Sequence, residues 1–287
     1  MAIQYGREYL LSINDNEQIR VLSELKIQFE ITKSLRGYPN TAKFVIYNTS
    51  KETEALLQND EVKLTLNAGY KNNIKLLFTG QLRNITQGRQ GADRIITIYA
   101  ADGRKDWETA FYNKTLSDTV DVESVVKDIA KTFTATPVGE LLGLTKPADK
   151  LMGQTLSGSS KDMMDQLSED YGFQWSIQDG EFVTVPNDDA IGKDDVILIT
   201  PSTGMLGTPT ITREGATVKT LLNGDITPNR LIKIESEGTV VSFGNLFFEN
   251  IKETSAQGIY KVYELIHKGD TRGQEWSTES KGFAFNG

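Results

Sequence analysis

The chain has 287 residues, of which 38% are apolar and 24% charged, with 12 Phe, 10 Tyr and 3 Trp, enough for packed cores in two or three domains. Zero cysteines exclude disulfides, thiol nucleophiles and thiolate metal sites, and a single histidine, His267, excludes the two-histidine zinc motifs. A formal charge of −8 argues against a dedicated nucleic-acid binder, no apolar run is long enough to span a membrane, and the N-terminal MAIQYGREYLLSINDNE lacks the basic flank and apolar block of a secretory signal.

In chain order, residues 19–31 place apolar side chains at 19, 21, 25, 27, 29 and 31, the period of a half-buried strand. Similar alternation over 42–46, 62–70, 77–85 and 96–100, with turn clusters at 37–40 and 87–93, predicts a first third that is mostly β. One short helix interrupts it, with Ser50 as N-cap, Glu52 and Glu54 in the first turn and Leu56 and Leu57 inward. From Thr115 the period becomes helical. Val122, Val125, Val126, Ile129, Ala130 and Phe133 share one face behind Asp118 or Asp121 as N-cap. A second helix follows Ser159 or Ser160, with Met163, Met164, Leu167 and Tyr171 inward and Gly172 at its C-terminus.

The tripeptide Thr-Leu-Ser stands at 115–117 and again at 155–157, a weak hint of duplication. Phe173, Trp175 and Ile177 then alternate into Asp179-Gly180, a type I′ hairpin signal, and Phe182, Val183 and Val185 return. After residue 201 strands are expected at 218–222, 231–234, 240–243, 246–251 and 260–266, with a looser alternation from 273 to 287. The fold class is mainly β with an α+β middle domain. The domains expected are 1–112, 113–200 and 201–287, with charges of +2, −9 and −1.

Constellations that carry chemistry fail on residue type. The acidic stretch 187–195 resembles a calcium loop, but Leu198 stands where bidentate closure needs a carboxylate. Ser157-Gly158-Ser159-Ser160-Lys161 lacks the first glycine of a phosphate loop and reads as a capped helix start. His267 with Asp270 has the residue types of a general base, yet no nucleophile can be set beside it. No catalytic, cofactor-binding or metal residue is assigned.

Several segments have a more specific character. Phe44-Val45-Ile46-Tyr47-Asn48-Thr49-Ser50 runs a strand into a capped helix, followed by Ala68-Gly69-Tyr70, Leu77-Phe78-Thr79-Gly80 and Ala101-Asp102-Gly103. Near the end, Gly258-Ile259-Tyr260-Lys261-Val262 leads through His267 to Gly269-Asp270-Thr271-Arg272-Gly273-Gln274-Glu275-Trp276. In this order and spacing the set resembles the baseplate hub proteins of tailed bacteriophages, the superfamily of late control D proteins and type VI spike hubs.

The resemblance implies two barrel-like β domains flanking a small two-helix domain, three chains forming a pseudo-sixfold ring, and a structural, non-enzymatic virion protein assembled in the host cytoplasm. Its implied partners are the tail tube protein, the central spike and surrounding baseplate proteins, with DNA passing through the channel unbound and no membrane involved. Because the chain stops at Gly287, spike and lysozyme functions are expected on other proteins. The acidic middle domain is expected outside the ring, with Lys127, Asp128, Lys131, Asp165, Glu169 and Asp170 outward. Alternatives are a distal-tail or tail-tip protein, a carbohydrate-active enzyme or an adhesin.

Overall fold

Alternation of apolar and polar residues in the first third produces a curled antiparallel sheet with one dry face. The computed structural model describes residues 6–285 except 16, 36–37, 60, 145–149, 152, 154, 188, 191–192, 213–214 and 243–254. Its first elements are β1 (Arg7–Asn14), β2 (Ile19–Leu22), β3 (Ile27–Ser34), β4 (Thr41–Tyr47), α1 (Lys51–Leu56), β5 (Lys63–Tyr70), β6 (Asn73–Gln90), β7 (Asp93–Ala101) and α2 (Arg104–Thr109). Ile27, Phe29 and Ile31 of β3, Phe44 and Ile46 of β4, and Ile96 and Ile98 of β7 point into one core with Leu11, Ile13, Leu64 and Leu66. Each such fully buried side chain contributes roughly 1.5–3 kcal/mol. Ser50 caps α1, its hydroxyl accepting from the Thr53 amide at 3.3 Å, and Leu56 and Leu57 close the core.

β6 makes the curl. It pairs with β5 as far as Gln81, and after a bulge between Leu82 and Asn84 it pairs only with β7. Three expectations change here. Residues 19–31 form two strands with a turn between them, because β2 pairs with β1 while β3 pairs with β4. The turn expected over 87–93 shrinks to Gly91-Ala92, since cross-strand pairing with β7 carries β6 to Gln90. β1, which the sequence reading does not assign, supplies the partner that β5 needs.

The middle region holds β8 (Phe111–Thr115), β9 (Val120–Asp121), α3 (Val122–Ala130), β10 (Val138–Leu141), β11 (Lys150–Leu151), β12 (Thr155–Ser159), α4 (Ser160–Tyr171), β13 (Phe173–Gln178) and β14 (Glu181–Pro186). Asp121 and Ser159 are the N-caps, and Gly172 ends α4 at φ 74°, a left-handed position that favours glycine. The apolar faces of both helices pack with Phe173, Trp175 and Phe182 into a separate core. The two Thr-Leu-Ser copies begin on strands that pair with each other. Thr115 and Thr155 are antiparallel neighbours on β8 and β12, their hydroxyls 3.1 Å apart.

The last region holds β15 (Ile197–Ile199), β16 (Thr210–Thr212), β17 (Gly215–Leu221), β18 (Leu231–Ile234), β19 (Val240–Val241), β20 (Gly258–Asp270) and β21 (Trp276–Ala284) around a third core. The strand expected over 246–251 lies outside the described residues. β20 pairs with β3 from Glu264↔Ser34 to Asp270↔Gln28, so first and last regions share one 14-stranded sheet. Its main path, β19-β16-β17-β21-β20-β3-β4-β7-β6-β5-β1-β2, ends in different strands. Among the described residues it does not return on itself and no closed barrel is found, so the two barrel-like domains are not confirmed.

Candidate functional site

Side chains on the core face of β3 are apolar apart from the buried Lys33, so those between them point to the opposite, wetter face, and register extends this face across both β regions. One row runs Asn84, Tyr99, Lys43, Glu30, Lys268, Ser277. The next runs Thr86, Thr97, Val45, Gln28, Asp270. On the other side, Thr41, Thr32, Ile266, Glu279 and Lys219 align, and then Glu264, Lys281 and Thr217. Lys43, Lys219, Lys268 and Lys281 balance Glu30, Glu264, Asp270 and Glu279, so these rows carry no net charge. Neighbours neutralise one another: Lys268 lies 3.2 Å from Glu30 and Lys281 2.5 Å from Glu264. The remaining positions are mostly Thr, Ser, Asn and Gln.

This ribbon has an unpaired edge at each end among the described residues. On β6 the stretch 83–90 is exposed except at Ile85, and only β7 pairs with it. At the opposite end β19 pairs only with β16, and Val240 is half exposed. The edge sequence RNITQGRQ contains no proline or lysine, and of the features that keep an open edge from pairing it has only Arg83, Arg89 and the bulge at its start.

The middle region plugs into the sheet through the tip of its β13–β14 hairpin. Asp179 and Gly180 adopt φ 53° and 86°, which turns the chain within two residues. Asn40 Nδ2 donates to the Ile177 carbonyl at 2.8 Å, and Gln178 Nε2 donates to the Ser34 carbonyl at 2.8 Å. Lys33, 1% exposed, reaches Asp179 at 2.5 Å. A Cβ on Gly103 would stand 2.2 Å from Ile177 Cδ1, so only glycine admits the hairpin there. From the last region, Lys261 Nζ donates to the carbonyls of Pro186 and Asn187, and Leu35, Val185 and Tyr263 form a small cluster where all three regions meet.

The residues considered for chemistry are dispersed. His267 lies within β20 and is fully buried, its Nδ1 2.8 Å from Thr278 Oγ1, and burial drives its pKa down to about 3. Asp270 instead accepts from Gln28 Nε2 at 2.8 Å and from the Arg272 amide. In the acidic stretch Asp189 pairs with Lys193 and Asp195 with Arg230, while Asp188 lies outside the described residues. Among the described residues no group of three or more His, Asp or Glu side chains could hold a metal ion. Ser159 stands at the N-cap of α4 and Ser160 is its first residue, but the Ser159 side chain makes no capping hydrogen bond, so the stretch is a helix start without the expected side-chain cap. Lys127, Lys131, Glu169 and Asp170 are exposed on their helices, and Asp128 pairs with Lys114 at 2.6 Å. Asp165, though exposed, accepts from the Trp175 indole at 2.8 Å. Neither the ribbon nor the socket is visible to a motif search, because each is assembled from residues far apart in sequence.

Residues 11–238 match the family described as baseplate hub gp41. The chain belongs to that family. No match is found among curated protein sequences. Similar folds occur in a tail protein from Neisseria meningitidis MC58, with TM-score 0.63 and 10% identity over 97% of both chains. The 43 kDa tail protein of prophage MuSo2 from Shewanella oneidensis has TM-score 0.60 and 9% identity, again over 97% of both. The E. coli c3393 protein is a type VI secretion component with structural similarity to the T4 bacteriophage tail proteins gp27 and gp5. It has TM-score 0.62 and 10% identity over 96% of this chain and 77% of its own. At these identities the likeness is one of fold.

Proposed function

We propose that this baseplate hub family member is a structural, non-enzymatic component of the virion tail: a homotrimeric hub joining the tail tube to the central spike, with surrounding baseplate proteins on its flank. The observation that carries the reading is the charge-balanced polar ribbon with, among the described residues, an unpaired edge at each end. Two different edges joined head to tail make a heterologous contact, and three copies related by a threefold axis close it into a ring without free edges. β6 residues 83–90 of one copy then meet the β19 end of the next, much as β20 already meets β3 within one chain.

The polar face becomes the channel wall. A wall without clustered positive charge lets DNA pass without trapping its phosphates. Residues 1–112 and 201–287 are the ring domains, and residues 113–200 are the peripheral lobe, where a charge of −9 stays off the DNA path. The lobe's anchors, Lys33, Asn40, Asp102 and Lys261, lie off the polar rows, which supports that placement. Assembly takes place in the host cytoplasm before the tail is complete.

Mass in solution tests the reading. The native chain is expected near three times 31.9 kDa, and the double variant Thr86→Lys, Gly88→Lys, with a charged β6 edge, near 31.9 kDa with unchanged circular dichroism. A native chain that stays monomeric at high concentration and in tail particles would overturn the trimer.

A further inference from the structure

The socket that receives the β13–β14 hairpin holds more ionisable groups than a structural joint needs. Asp102 is 1% exposed, at the junction of β7 and α2. Its Oδ2 accepts from the Gly180 amide at 3.2 Å, and its Oδ1 is buried with no hydrogen-bond partner. Asp179, on the hairpin, and Asp102, on the socket wall, both act on Lys33 of β3, which is already engaged by Asp179. Behind Lys33, on β20, is His267, buried and uncharged. The remaining polar groups at the joint are neutral: Asn40 donates to the Ile177 carbonyl and to Gln178 Oε1, accepts from the Ser34 amide and stands near enough to Asp102 to favour its ionised form weakly, while Gln178 donates to the Ser34 carbonyl and the Ser176 hydroxyl. One buried ammonium therefore stands against two carboxylates, Asp102 sealed from water and Asp179 with its side chain 30% exposed. With Asp102 protonated the socket is balanced, Lys33 against Asp179. With Asp102 ionised it carries an excess negative charge and an unsatisfied carboxylate oxygen out of contact with water, which is costly.

We propose that this socket is a proton-operated latch: protonation of Asp102 seats the Asp179-Gly180 hairpin and holds the middle lobe rigidly, whereas loss of that proton eases the hairpin out and frees the lobe to shift against the sheet. Opening relieves the excess charge because it lets water reach Asp102 and separates it from Asp179. Burial, the largest influence, raises the pKa of Asp102 to about 7, with Asp179 adding to the rise and Lys33 and the Gly180 amide opposing it. In the opened state the group returns to an ordinary carboxylate range near 4. The opening equilibrium accordingly rises with pH between those two values and levels off above the upper one. The latch does not depend on whether the chain forms a trimer.

Hydrogen exchange of amides 177–181 in the full chain, corrected for intrinsic rates, tests this. In the native protein opening is expected to increase about tenfold per pH unit between about pH 5 and pH 7, then to plateau. In Asp102→Asn, which keeps the shape and cannot ionise, it is expected to stay flat at the acid-side level. An equal pH dependence in native and variant proteins, or none in the native protein, would overturn the latch. Should Asp102→Asn fail to fold, the carboxyl carbon resonance of Asp102 in the native protein gives the answer. A titration near neutrality supports the proposal, and a group already ionised at about pH 5 refutes it.

Discussion

The molecule has two internal joints of opposite character, and the contrast shows how one chain can build both a continuous surface and an adjustable appendage. The seam between first and last regions is a backbone ladder, β3 against β20, in which any side chains compatible with a strand suffice. The joint to the middle lobe is a socket in which particular side chains matter: Lys33 for Asp179, Asn40 for a hairpin carbonyl, Gly103 for the space that Ile177 fills. A ladder tolerates substitution but not sliding, because a one-residue slip would turn Ile31 to the polar face and Glu30 into the core. A socket resists sliding but is sensitive to single atoms and to charge.

The largest expected effect belongs to the appendage itself. Trp175 stacks between Trp107 and Phe182, each 5.6 Å away, and donates its indole proton to Asp165. Trp175→Ala should destabilise the lobe by about 3–5 kcal/mol in denaturant unfolding, from the cavity and the lost contacts together. Next comes the socket. Lys33→Met removes the partner of Asp179 and should cost about 3 kcal/mol, whereas adding Asp179→Asn should recover part of that loss by removing the stranded charge. If the double variant is as unstable as the sum of the two single variants, the pair is not coupled and the socket is only a packing contact.

The same joint should set the pH dependence of stability. Asp102 has a raised pKa, about 7 when folded, so its contribution is complete below the unfolded value near 4 and is lost as pH rises towards 7. His267 has a lowered pKa, about 3 when folded, so its contribution is complete above the unfolded value near 6.5 and is lost as pH falls towards 3. Between about pH 4 and 6.5 the two slopes, each about 1.4 kcal/mol per unit, oppose each other. Relative to the native chain, Asp102→Asn should therefore gain stability as pH rises across that window, and His267→Gln should lose it. Denaturant midpoints at several pH values measure both.

Much of the fold was legible because its signals are local. Alternation at Ile27, Phe29 and Ile31, the cap at Ser50, the hairpin at Asp179-Gly180 and the terminator at Gly172 each act within a few residues. α2 was not legible: it is six residues long, and Gly103 before it offers no side-chain cap. The length of β6 was hidden too, because polar residues such as Gln87, Arg89 and Gln90 read as a turn unless β7 is known to lie beside them. The candidate site was the least visible part. Lys33 and Asp179 are 146 positions apart, and the polar rows exist only once β20 is set against β3.

The smallest expected effect sharpens the contrast from the side of the seam. Lys268 and Glu30 face each other across β20 and β3 at 3.2 Å, with side chains 44% and 53% exposed. A pair so exposed is screened by water and salt, so exchanging the two charges in Lys268→Glu with Glu30→Lys should change stability by less than about 0.5 kcal/mol. The ladder of backbone hydrogen bonds and the buried Ile31, Phe29 and Leu265 beneath it are unaffected by what stands on the wet face. Glu30→Lys alone should also leave unfolding nearly unchanged, yet it replaces a negative with a positive charge in a face whose named charges cancel. In the proposed ring of three copies that change would be repeated around the channel wall. The variant assembly should then retain double-stranded DNA at low salt and release it as ionic strength rises, while the native and exchanged proteins retain none. Retention measured by co-sedimentation at two salt concentrations separates the roles: stability set by the ladder, passage set by the charges it displays.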